Sequence, residues 1–135
     1  MYMSEKSMAL LDGVVDLYLA DFKWGNNEDA LKYSSAPKYW EVTTRNFLLA
    51  KKHYKAEFLI RHLIIPGHLE CCTRPILKWI SENLGRDVRV NVMFQYRPEY
   101  RAYKYPEIDR RLTNDEMLKA VQLVKEFGLK NALVG

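Results

Sequence analysis

Apolar and polar positions alternate along this chain in four successive helix-then-strand units. Residues 4 to 12 read as a short helix, with Ser4 as N-cap and Gly13 just beyond the end. The run VVDLYLAD (14–21) is short and mostly apolar, as a strand should be. The polar stretch FKWGNNEDALKYSS follows and reads as a loop. A second helix is expected from Pro37 to Tyr54, with Trp40, Thr44, Phe47 and Leu48 on one face. AEFLIRHLII (56–65) gives the second strand. Thr73 and Pro75 open a third helix, with Ile76, Ile80 and Leu84 inward and Gly85 as its stop. DVRVNVMFQY (87–96) is the third strand. A capping box of Thr113 and Glu116 starts a fourth helix, carried by Leu118, Val121, Val124 and Phe127 up to Gly128. NALVG (131–135) begins a last strand.

Strands joined through helices run parallel, so the expected class is α/β. No G-x-G-x-x-G follows any strand, which removes the dinucleotide-binding version of that class. Four units match half of an eightfold α/β barrel. The third strand sharpens this expectation. Val88, Val90, Val92 and Phe94 alternate with Arg89, Asn91, Met93 and Gln95, so the first set meets helices and the second lines an open interior. Helices on one face only, over parallel strands near 14–20, 57–64, 88–95 and 131–134, are the expectation. A chain that opens on a helix and closes on a strand reads as a portion of a larger domain.

Composition narrows the class without naming a chemistry. The 135 residues suit one domain, and 48% hydrophobic with 28% charged is ordinary for a globular protein. The net charge of +4 permits an anionic ligand without requiring one. No apolar run reaches the ~20 residues that span a bilayer. The N-terminus lacks a cationic segment followed by an apolar one, so no signal peptide is expected. The two cysteines, Cys71 and Cys72, are adjacent and cannot staple a secreted scaffold, which points to a reducing, cytoplasmic setting.

Ligands of parallel α/β proteins sit at the carboxyl ends of the strands. Asp21 and Lys23, two apart, share one face of the first strand end. Their alternative is an ion pair that caps a neighbouring helix. Arg61, inside an apolar strand, must face a cavity, an anion or a carboxylate such as Asp21 or Glu57. His62 points to the helix side as a core histidine. LIRHLIIPGHLECC (59–72) is dense in ligand-type residues, yet its spacings complete no C-x₂₋₄-C or H-x₃₋₅-H pair, so that stretch alone makes no metal site. His68 and Glu70 then read as loop polars, and Cys71 and Cys72 as space-filling at a helix start. In YRPEYRAYKYPEIDRR (96–111) tyrosines interleave with cations, a pattern that can stack on single-stranded nucleic acid. Glu99, Glu107 and Asp109 dilute its charge, which favours a solvated loop whose tyrosines pack down.

LADFK at one strand end, IRHLIIPGH at the next, then VNVMFQYRP and AVQLVKEFGLKNA together resemble the C-terminal half of radical S-adenosylmethionine enzymes. The resemblance is to the group related to the pyruvate formate-lyase activating enzyme, and it runs from about residue 10 to 134. It implies half of a partial (β/α)6 TIM-like barrel, open at one side, with residues 1–135 as a single C-terminal portion. The family's D-x-K at the strand end maps onto Asp21 and Lys23, which would help hold S-adenosylmethionine. The arginine of the following strand maps onto Arg61, with Leu63 beside it, and the next strand end falls near Gln95 and Tyr96. No histidine follows that strand, a departure from the family. The C-x₃-C-x₂-C triad for a 4Fe-4S cluster is absent, and so is the glycine-rich stretch that holds the methionyl amine. Complete, such an enzyme would cleave S-adenosylmethionine reductively to a deoxyadenosyl radical, with a glycine of a partner protein as one substrate. This chain alone would lack that chemistry. Two further readings are a half-barrel that self-associates and a weak nucleic-acid binder using residues 96–111.

Overall fold

A computed structural model describes residues 1–53 and 56–135. Its helices are α1 (Glu5–Leu10), α2 (Asn27–Ser34), α3 (Tyr39–Lys52), α4 (Arg74–Asn83) and α5 (Asn114–Glu126). Its strands are β1 (Leu17–Asp21), β2 (Glu57–Leu63), β3 (Arg89–Met93) and β4 (Ala132–Val134). A π-helical turn, Leu69–Thr73, runs into α4, and a 3-10 turn spans Ala102–Lys104. Among the described residues the strands form one all-parallel sheet in the order β1-β2-β3-β4. The expected α/β class with four parallel strands is therefore present.

Alternation decides which face of the sheet is covered. Tyr18 and Ala20 of β1, Phe58, Ile60 and His62 of β2, and Val90 and Val92 of β3 are buried. They meet a core that includes Phe22, Phe47, Ile76, Leu77, Ile80 and Leu123. Each fully buried side chain of this size contributes about 1.5–3 kcal/mol. The intervening positions, among them Leu19 at 57% exposure, stay on the other face, which is open. Parallel sheets are usually covered on both faces, so this openness sets the sheet apart.

Several local expectations are corrected. Residues 22–35 are not all loop, because α2 forms within them. Asn26 caps it, its side chain accepting from the Asp29 amide at 2.7 Å. Glu28 and Asp29 favour its N-terminal dipole, and Ser35, at φ 51°, ends it. The helix buries only Ala30, so its apolar signal is faint. α3 starts at Tyr39 rather than Pro37, after Lys38 in a left-handed conformation; Tyr54, its expected end, lies outside the described residues. β1 starts at Leu17 because Val14 and Val15 both donate to the Leu11 carbonyl in the turn around Gly13. Thr73 does not cap α4. The preceding π turn already occupies those amides, and the Thr73 hydroxyl lies 3.0 Å from His62 Nε2. In α5 the capping box of Thr113 and Glu116 is present, but Leu118 is 62% exposed. It stands about 200° around the helix from Ala120, which is buried with Leu123 and Val124.

Candidate functional site

The carboxyl ends of β1, β2 and β3 lie side by side because the strands pair in register: Asp21 with Arg61, Arg61 with Asn91, Leu63 with Met93. Asp21 and Arg61 face the open side, and Arg61 Nε donates to Asp21 Oδ1 at 2.6 Å. A second cross-strand pair, Arg89 to Glu57 at 2.6 Å, lies farther back on the same face. Arg61 thus takes Asp21 as its carboxylate, while Glu57 serves Arg89. Both side chains of the Asp21–Arg61 pair are about half exposed, at 52% and 40%, so ligand groups can still reach them.

Beyond these strand ends lies a cavity of about 300 Å³ lined by Lys23, Leu63 and Tyr96. Its aromatic wall centres on Tyr33 of α2. Trp24 stacks on Tyr33 with centroids 5.1 Å apart and 17° between planes, and Tyr105 meets Tyr33 edge-on at 5.0 Å. Trp24 Nε1 donates to Ser34 Oγ at 2.8 Å, and Tyr33 Oη donates to Glu107 at 2.6 Å, so both rings are held. Tyr96 Oη donates to the Ile108 carbonyl at 2.9 Å. Burial, then the charge of Asp109, pushes the Tyr96 phenol above its ordinary range, so it remains a neutral donor.

The loop after β3 brings Arg97 and Arg101 to the same cavity, with Glu99 as the acidic member of the lining. Lys23 also borders a neighbouring cavity of about 290 Å³ shared with Asp21 and Tyr39. Its backbone is fixed by an amide donating to Tyr39 Oη at 2.9 Å, while its ammonium has no ion-pair partner among the described residues. Tyr100, on the rim, holds φ at 54°, a conformation that costs a non-glycine residue energy.

The six residues picked from sequence therefore separate. Lys23, Leu63 and Tyr96 share one cavity, Asp21 and Arg61 form a pair beside it, and Gln95 is tied by its amide to the Gly135 carbonyl at 3.0 Å. Sequence reasoning missed Trp24, Tyr33, Tyr105, Arg97 and Arg101. The signal for Tyr33 was the cap that starts α2. The signal for Tyr105, Arg97 and Arg101 was the Tyr–Arg run, whose members divide: Tyr105 packs on the cavity wall, Tyr100 and Tyr103 are exposed, and Arg110 pairs with Glu116. His62 is a core residue, its Nδ1 2.7 Å from the Phe22 carbonyl.

The donor set decides what the chain can hold. An aromatic wall with cations at its mouth suits a flat heteroaromatic ligand that carries an anionic group. An iron–sulfur cluster does not fit the residues present. Its irons require cysteinyl sulfurs converging from several positions, and the chain has only Cys71 and its neighbour Cys72. Among the described residues no helix is long and apolar enough to cross a membrane.

No protein-family model matches the chain, and no solved structure matches it. MJ0674, an uncharacterized protein of Methanocaldococcus jannaschii, is 51% identical to it over 129 residues. The match covers 96% of this chain and 37% of that relative, so the chain spans little more than a third of the relative's length.

Proposed function

We propose that this chain is the C-terminal part of a radical S-adenosylmethionine barrel of the activating-enzyme type. In this reading its strand ends supply one side of the S-adenosylmethionine site. The observation that carries the reading is the aromatic, cation-mouthed cavity at the carboxyl ends of β1–β3, with Lys23, Leu63 and Tyr96 in its wall and the Asp21–Arg61 pair beside it. A parallel sheet with one open face supports it, since a barrel interior is such a face. A relative of which this chain spans 37% leaves room for the rest of the barrel.

The roles follow from side-chain chemistry. Tyr33, Tyr96 and Tyr105, the partly exposed rings of the wall, offer apolar surface to an adenine ring, backed by Trp24, which is buried and stacked on Tyr33. Lys23 offers its ammonium to the carboxylate, and Tyr96 closes the cavity wall. Asp21, oriented by Arg61, accepts from polar groups of the ligand. In the complete enzyme the bound cofactor would supply radical chemistry toward a substrate, with a glycine of a partner protein as one such substrate. Residues of this chain orient the cofactor and exclude water from it.

The chain alone is expected to bind S-adenosylmethionine at millimolar strength or weaker, about 4 kcal/mol or less. The test is a two-dimensional NMR titration of the isotope-labelled chain. Shifts at millimolar ligand should concentrate on Lys23, Trp24, Leu63 and Tyr96, and Trp24→Ala should diminish them. Shifts scattered over the surface, or none at the solubility limit, would overturn the proposal. Anaerobic treatment with iron and sulfide should leave no stoichiometric cluster absorbance; a stable cluster would refute the reading of this chain as the cluster-free part.

A further inference from the structure

Behind the aromatic wall, three segments far apart in sequence converge. Gly25 packs so tightly on the π turn that a Cβ there would lie 2.5 Å from Cys72 Cα and 2.7 Å from the Cys71 carbonyl oxygen. That approach seats the first turn of α2 against Cys71 and Cys72. Asp29 of α2 accepts from Asn26 Nδ2 at 2.6 Å and from the Cys72 thiol at 3.3 Å. The Cys71 and Cys72 sulfurs are 3.7 Å apart.

His68 completes the group. It is only 7% exposed, standing edge-on to Trp24 and Tyr33. Its Nδ1 lies 2.7 Å from the Pro66 carbonyl. A carbonyl can only accept, so Nδ1 carries a hydrogen and the neutral ring presents a lone pair at Nε2. That lone pair faces Asp29 Oδ1 at 3.7 Å and takes part in no hydrogen bond among the described residues. With the ring neutral, two acceptors point at each other, one of them nine-tenths buried, and either a proton on Nε2 or a metal ion between them satisfies both. A second ring nitrogen held by a backbone carbonyl is also how metal-binding histidines are oriented.

We propose that Asp29, His68 and Cys71 form a binding site for a thiophilic divalent cation of the zinc class, with a fourth position open to solvent. Their ligand atoms lie within 4.8 Å of one another. A tetrahedral zinc site, with bonds of about 2.0–2.3 Å, needs roughly 3.3–3.8 Å between ligand atoms. The His68–Asp29 edge already has that length, and small side-chain rotations supply the rest. One thiolate, one imidazole and one carboxylate select zinc over magnesium or calcium, which take oxygen sets. Cys71 is exposed, giving the ion a route in. Binding replaces the Cys71 S–H by a sulfur–metal bond and releases that proton to solvent. Cys72 acts as a positioning residue, its thiol donating to Asp29 Oδ2 so that Oδ1 turns to His68.

This site uses none of the residues assigned to S-adenosylmethionine, so either can stand without the other. The test is a cobalt(II) titration of the reduced, metal-free chain. One equivalent should bind, with thiolate-to-cobalt charge-transfer absorption and tetrahedral visible bands, and zinc should displace it while magnesium and calcium do not. Cys71→Ser should weaken binding at least about tenfold, as should His68→Gln. Cys72→Ser should keep the charge-transfer band. Because Cys71 is exposed, its variant should unfold at the same urea midpoint as the native chain, which separates lost binding from lost folding. Absence of the charge-transfer band, or cobalt held equally tightly by Cys71→Ser, would overturn the site.

Discussion

Acidification should destabilise this fold through His62 before its surface carboxylates matter. His62 is 1% exposed, between the Phe22 carbonyl at Nδ1 and the Thr73 hydroxyl at Nε2. Burial lowers its pKa to about 4, although the Phe22 carbonyl works the other way. In the unfolded chain the imidazole titrates near its ordinary value of about 6.5. Between these values the unfolded chain binds a proton that the folded chain refuses, so stability is full above pH ~6.5 and falls as pH drops toward 4. The whole shift corresponds to roughly 3 kcal/mol, most of which should be lost between pH 7.5 and 4.5. Urea unfolding followed by far-ultraviolet circular dichroism at several pH values measures this directly. The variant His62→Gln, which carries no titrating ring, should be less stable at neutral pH but should lack this added slope. Glu70, Glu107 and Glu116, held down to about 2 by Arg74, Lys32 and Arg110 respectively, lose their contribution only below pH ~4.5, under the His62 window. Parallel stability–pH curves for the native chain and His62→Gln would refute the reasoning.

Two other expectations follow from geometry. Gly25→Ala places a Cβ 2.5 Å from Cys72 Cα, a backbone atom that cannot swing aside, and should cost about 3 kcal/mol or more in urea unfolding; it should also displace the Cys71 and Cys72 resonances. The Asp21–Arg61 pair is exposed enough that a double-mutant cycle with Asp21→Asn and Arg61→Met should give a coupling below about 1 kcal/mol, and a larger coupling would mean the pair is shielded by something packed on the open face.

The parallel sheet was legible because β2 and β3 carry strict two-residue alternation, and because α5 opens on a capping box and glycines at positive φ, Gly85 and Gly128, follow α4 and α5. Helix α2 escaped because a segment that buries one alanine has almost no apolar period; its evidence is polar, in the Asn26 cap and the acidic first turn. Missing α2 hid Tyr33 and Asp29 together, and with them the cavity wall and the third member of the cation site. The Asp21–Arg61 pair was anticipated as one of two partners for Arg61, but only strand register chooses between Asp21 and Glu57. His68 read as a loop residue because its partner Asp29 lies 39 positions earlier, beyond any local spacing rule. Short-range patterns reported the scaffold, and convergence in space made the sites.

The sheet is laid down in sequence order, each strand beside its predecessor. Among the described residues no strand is inserted between two earlier ones, so the outer margins at β1 and β4 are the natural places for growth. A polypeptide continuing from either side could add another strand and helix without rethreading anything already in place. Architectures of this kind lengthen by concatenation, as a spiral staircase gains steps at its ends. Gene fusion or duplication could thus extend such a unit while leaving the interior contacts between Ile60, Val92 and the helices as they stand.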